Sequence, residues 1–261
     1  MPWNETTSPH FAARHESRDV DDVVDVLALL EGTRERLNGL FPEVPDGVEV
    51  VVHGTVAQLD MAAPYLPLVR RLTAPAARRY LVGWFGVSEI HVLAPRVLSA
   101  RASQVPGSRE LILLAPAALY VHVALGASNP ALPPPFTPRA FTRYRRWAWL
   151  AAGTAQWLSG QVPHARPAIA RRIHEGPRPA FPPGIRDAQL LGGTVIDLLA
   201  REEGEQACLD LALGSLPRDP SRALDAAFPG RRLRHTEDAW RAHLARLAGT
   251  PEAATRRRRR R

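Results

Sequence analysis

Between Leu111 and Gln161 two strongly apolar segments are joined by a proline-rich crossing, Asn129 to Pro138. The second segment carries Trp147, Trp149 and Trp157, half of the six tryptophans in the chain. Side chains of this size and character have to be removed from water, so whatever fold forms must bury both segments. The apolar part of the first, Leu111 to Ala127, falls just short of a membrane span and contains Pro116 and His122, which makes it a core element rather than a span. Pro116 suits the first turn of a helix, and that helix is expected to run from there to about Gly126. Arg139 to Gly160 reads as a second long helix, and the residues between as an extended surface crossing.

Strands and helices alternate before this stretch. Asp19 to Leu40 is the clearest helix, with Val20, Val23, Val24, Leu27, Leu30 and Leu37 at helical spacing. Asp19, Asp21 and Asp22 occupy its first turn, where the helix dipole favours negative charge. Pro42 and Pro45 end it. Val48 to Val52 is a β-branched strand, and His10 to His15 a short edge strand. Thr55 to Met61 and Pro95 to Ala102 suit short helices. Leu66 to Ala77 lies between helix and loop, and Arg109 to Leu114 between strand and helix. Tyr80 to Phe85 and Glu89 to Leu93 suit two strands around a turn at Gly86. After the central stretch, residues 164–176, 186–203, 205–214, 221–228 and 236–247 all read as helical, the last with Thr236 and Asp238 as a cap.

This order predicts an α+β fold: a small N-terminal mixed sheet with helices, followed by a mainly helical C-terminal half. The expected organisation is a loose N-terminus over residues 1–8, an α/β subdomain over 9–115, a helical subdomain over 116–248 and a disordered Arg-rich tail over 249–261. The formal net charge of +8 owes six charges to Arg256–Arg261, leaving the rest near +2. The high basicity therefore belongs mostly to the tail. Cys208 is the only cysteine, so neither an internal disulfide nor a cysteine-based zinc site can form. The opening residues lack a basic stretch followed by an apolar run, and a cytoplasmic location is expected.

Few residues offer chemistry. None of the nine histidines forms an H-E-x-x-H pair; His15-Glu16 and His174-Glu175 each lack the second histidine. Nucleophile-elbow, Walker and dinucleotide glycine patterns are absent. Cys208 sits in an apolar helical context with no activating neighbour. Arg143, Arg145 and Arg146, interleaved with Tyr144 and Trp147, suit either a clamp for an anion or a solvated helix face.

One pattern goes further. Trp149-Leu150-Ala151-Ala152-Gly153-Thr154-Ala155-Gln156-Trp157 fits the frame W-L-x-E-G-x-A-x-W, and Ala118-Leu119-Tyr120-Val121-His122 fits the spacing of H-E-x-x-H. In this the chain resembles the gluzincin-type zinc metallopeptidases, in particular the small peptidase-MA-like domains, and the resemblance implies a zincin-like fold. In that family the two histidines of H-E-x-x-H and the glutamate of the second motif hold zinc, and the first glutamate activates the zinc-bound water. Here Ala118 and Leu119 stand for the first histidine and the catalytic glutamate, and Ala152 for the third ligand. His122 alone remains, as a residual metal candidate or, on the plainer reading, a hydrogen-bonded core histidine.

The resemblance therefore implies a catalytically inactive metallopeptidase-like protein that binds a peptide or protein partner in the former active-site cleft. No cofactor is expected, since a catalytic zinc needs about three protein ligands. The expected cleft residues are Tyr120, His122, Trp149 and Trp157 with Glu89, Ile90 and His91, the last three on an edge strand available to an extended partner. Two other readings stay open: a zinc metallopeptidase with non-standard ligands, and a binder of nucleic acid or an anionic surface through Arg256–Arg261.

Overall fold

The run Val48-Glu49-Val50-Val51-Val52 builds the middle strand of a five-stranded mixed sheet. The computed structural model describes residues 3–75 and 82–249. Its strands are β1 (Trp3–Thr7), β2 (Phe11–Glu16), β3 (Val48–His53), β4 (Gly83–Phe85) and β5 (Glu89–Leu93), in the spatial order β1-β2-β3-β5-β4. β2, β3 and β5 run parallel, and the two outer strands are antiparallel to their neighbours. Side chains alternate across the sheet. Ala13, Val48, Val50, Val52, Ile90 and Val92 turn to the core, and Trp3, Arg14, Glu49, His53, Trp84 and His91 to the opposite face.

Helices α1 (Val20–Asn38), α2 (Val56–Ala62), α3 (Leu66–Thr73), α4 (Pro95–Arg101) and α5 (Ser108–Leu113) belong to the sheet-bearing half. The helical half contains α6 (Ala115–Ser128), α7 (Pro138–Leu158), α8 (Arg166–Glu175), α9 (Ile185–Glu203), α10 (Glu205–Leu213), α11 (Pro220–Ala227) and α12 (Leu233–Ala248). The chain is thus α+β, as its order of elements predicts. α6, grouped by sequence with the helical half, packs on β4 and β5 and against α1. One continuous apolar core runs from Phe11 to Leu247. Among the described residues no helix is long and apolar enough to cross a membrane.

Several expectations are corrected. Residues 3–7, expected to be loose, form β1, and β2 is therefore an inner strand rather than an edge. The polar sequence of β1 has no apolar alternation to reveal it, which suits a solvent-facing edge. β5 is not an edge either, because β3 and β4 pair with its two sides. Tyr80 and Leu81, the proposed start of β4, and Arg256–Arg261 lie outside the described residues.

On α1 the buried face is Val23, Val26, Leu27, Leu30, Thr33 and Leu37, while Val20 and Val24 are exposed. Asp19 does not cap the helix by a hydrogen bond; it is fully buried and pairs with Arg96 of α4 at 2.6 Å. Thr236 is no cap, since α12 starts three residues earlier and buries it. The proline-rich crossing is not a surface strip throughout. Asn129, Leu132, Pro133 and Pro134 are buried, and Asn129 Nδ2 donates to the carbonyl oxygens of Ala212 and Gly214 at 2.8 and 3.2 Å. Gly126 lets the crossing lie against α6, because a Cβ there would strike Pro134.

Candidate functional site

A cavity of about 70 Å³ lies where β4, α6, α7 and α9 meet. α6 contributes Ala118, Leu119 and His122 to its lining; α7 contributes Gln156 and α9 contributes Gln189. Three of the positions framed by the H-E-x-x-H spacing therefore open on one cavity. Gly83 of β4 lies against Leu119, with no room for a Cβ between them.

His122 is nearly inaccessible, and its ring stacks on Phe85 of β4, centroids 4.6 Å apart and planes 5° from parallel. Burial pushes its pKa down to about 4, so the imidazole is neutral at physiological pH. Its Nδ1 is buried without a hydrogen-bond partner. Phe85 continues into a row of aromatics: Phe136 of the crossing at 5.4 Å, then Tyr144 of α7 at 5.7 Å from Phe136, edge to face. Phe136 is 47% exposed. Gln189 Nε2 donates to the Tyr144 hydroxyl at 3.2 Å, which joins this aromatic rim to the cavity wall.

The wall opposite β4 is fixed by backbone contact. Gly153 of α7 and Gly192 of α9 touch so closely that a Cβ on Gly153 would lie 2.6 Å from the Gly192 carbonyl oxygen. Gln156 spans the same helix pair: its Nε2 donates to the Gln189 carbonyl at 2.5 Å, and its Oε1 accepts from the Gly193 N–H at 2.9 Å. Gln161 Nε2 donates to the Leu111 carbonyl at 2.8 Å. The glycines at 153, 192 and 193 thus serve helix packing.

The other expected cleft residues do not gather here. Ala152 is buried in the core and lies outside the cavity lining. Tyr120 points into the core, its hydroxyl donating to the Pro45 carbonyl at 2.8 Å. Trp149 is buried beside Trp147, and Trp157 packs half-buried on the core. Ile90 belongs to the core face of the sheet beside Phe85. Glu89 and His91 lie on the opposite face of the sheet. There His91 Nδ1 and His53 Nε2 share a hydrogen bond of 2.9 Å, and Trp84 stacks on His91 at 3.8 Å. Burial, then the neighbouring His91, pushes the His53 pKa down to about 4.

The residues in the cavity do not fit a catalytic zinc. Its lining contains one histidine, no carboxylate and no thiolate. Among the described residues no group of three or more His, Cys, Asp or Glu side chains is placed to hold a metal ion. No serine, threonine, cysteine or lysine lines the cavity, and a histidine with a pKa of about 4 is a poor proton acceptor at neutral pH. What the site offers is a neutral ring nitrogen, amide groups and an aromatic rim, which suit non-covalent recognition. The sequence reading missed Phe85, Phe136, Gln156 and Gln189; only Gln156 stood within a motif frame, one place before Trp157. In comparisons with known proteins, no family model, curated protein or solved structure matches this chain.

Proposed function

We propose that this chain is a catalytically inactive relative of the gluzincin-type zinc metallopeptidases, and that it binds a peptide or protein partner where the family cleaves one. The observation that carries the reading is the convergence of Ala118, Leu119 and His122 on one cavity beside the terminal strand of the sheet. Apolar side chains at the first two positions remove the cost of burying charged groups that have no metal to compensate them. Strand addition requires only main-chain groups and outlives the loss of catalytic side chains. The Val82 carbonyl and the Gly86 N–H both bond inward to β5, so the alternation of an antiparallel pair turns the main-chain groups of Phe85 outward. A partner strand laid there would pass Phe136 and set a side chain toward His122.

Two measurements test this. The purified protein is expected to carry far less than stoichiometric zinc by elemental analysis; stoichiometric zinc that is lost in His122→Ala would overturn the reading. Against an array of randomised extended peptides, the protein is expected to select a subset. Binding of that subset should weaken by about tenfold or more in Phe136→Ala, as for an aromatic anchor. An array with no selected sequences, or selection unaffected by Phe136→Ala, would remove the cleft from the proposal.

A further inference from the structure

A second recess, sharing no residue with the cavity above, lies between the first half of α7 and the loop that follows α10. Its volume is about 650 Å³. Arg139, Arg143 and Arg146 line it from α7, and Arg218 lines it from the loop. No acidic residue lines it. Asp219, next to Arg218, is occupied as a cap, its Oδ1 accepting from the Ser221 N–H at 2.9 Å.

Two observations show that the positive charge of the recess is uncompensated. Among the described residues several arginines elsewhere have a carboxylate partner: Arg96 with Asp19, Arg172 with Asp187, Arg201 with Asp197, Arg241 with Glu237. Among the described residues, none of the four in the recess has a carboxylate partner. Secondly, the first turn of α7 holds no acidic residue, although Arg139 and Arg143 occupy its first two turns. That end of a helix carries partial positive charge, so cations there are unfavourable unless an anion joins them. Charge repulsion along the stripe adds to this cost.

Arg139, Arg143 and Arg146 stand at i, i+4 and i+7 and share one face, spanning roughly 10 Å along the axis at 1.5 Å per residue. Arg218 faces them across the recess. A planar guanidinium meets phosphate oxygens through paired N–H bonds. We propose that this recess binds a linear polyphosphate, supplied either as an inorganic chain or as the triphosphate of a nucleotide. Three charged groups in a row would each meet one arginine of the stripe, and the fourth guanidinium would close over them. The binding is non-covalent and needs no side chain of the other cavity.

Calorimetric titration of the full chain with inorganic tripolyphosphate tests the assignment. Saturable binding is expected, weakening as salt rises. The double variant Arg143→Gln/Arg146→Gln should lose about tenfold or more in affinity, the scale of charge-assisted hydrogen bonds. Arg145→Gln should bind as the parent does, because Arg145 lies on the same helix but outside the recess. All three side chains are exposed, so unchanged thermal melts will verify that the variants fold. A nucleoside triphosphate bound more tightly than tripolyphosphate identifies the nucleotide as the source, and equal binding identifies the phosphate chain. The proposal is overturned by any of four results: no saturable binding, equal loss in Arg145→Gln, citrate bound as well as tripolyphosphate, or an acidic peptide or single-stranded oligonucleotide bound more tightly than either phosphate ligand.

Discussion

His122 is the buried residue whose protonation most bears on stability. Its imidazole is buried, neutral and short of one hydrogen bond. A folded pKa of about 4 below an ordinary value of 6.5 fixes the sign of its pH dependence. Above the ordinary value neither state binds the proton, and the residue contributes nothing. As pH falls from 6.5 toward 4 the unfolded chain takes up the proton first, so stability is lost across that window. The loss approaches about 3 kcal/mol at its lower end. His53, also buried and lowered to about 4, adds to the same acid limb. Denaturant melts between about pH 7 and pH 4 should therefore show falling stability, and His122→Leu should flatten part of that fall. At neutral pH the same variant is expected to be neutral or more stable by about 1 kcal/mol, since it removes an unpaired buried group. If recognition uses the free ring nitrogen, peptide binding should drop in His122→Leu although the protein is no less stable.

At the scale of elements, the contact between α7 and α9 carries the wall of the cavity. Gly153→Ala would drive a methyl group into the Gly192 carbonyl, and neither backbone can yield without parting the helices. A loss of roughly 1–3 kcal/mol or more is expected in thermal or urea melts. Gly32, on the exposed side of α1, has nothing within 4 Å of the place a methyl group would take. Gly32→Ala should therefore stabilise by about 0.5–1 kcal/mol. Both are glycines within helices, and their spacing in the sequence does not distinguish them; only the partner helix does. That limit recurs through the fold. α1 was legible from the helical spacing of its apolar residues, and β3 from its β-branched run. β1 was not, because four of its five residues are polar and its position depends on pairing with β2. The site was legible in part. The spacing from Ala118 to His122 put residues of one helix on one cavity, since residues three and four apart share a face. It did not reveal which face of the sheet His91 occupies, nor that Phe85 and Phe136, far apart in sequence, complete the rim.

For the whole molecule, the two halves share one core. α6 lies under the sheet and against α7, so neither the strands nor the later helices have a separate apolar interior. A single cooperative unfolding transition is expected, coincident by near-ultraviolet and far-ultraviolet dichroism. Leu125→Ala, in the buried last turn of α6, should shift that one transition by about 2–5 kcal/mol. Two resolved transitions would show that the halves unfold independently. The glycine contact between α7 and α9 has a further consequence for motion. Two backbones in direct touch, bridged by Gln156, behave as one plate, and the cavity cannot widen on that side. Any ligand that enters must displace the rest of the lining, chiefly Val82 and Gly83 beside β5 and Leu111, Ala115, Ala118, Leu119 and His122 of α5 and α6. Adjustment of the cavity to an occupant therefore falls to the side chains of α5 and α6 and the start of β4, and not to the spacing of α7 and α9.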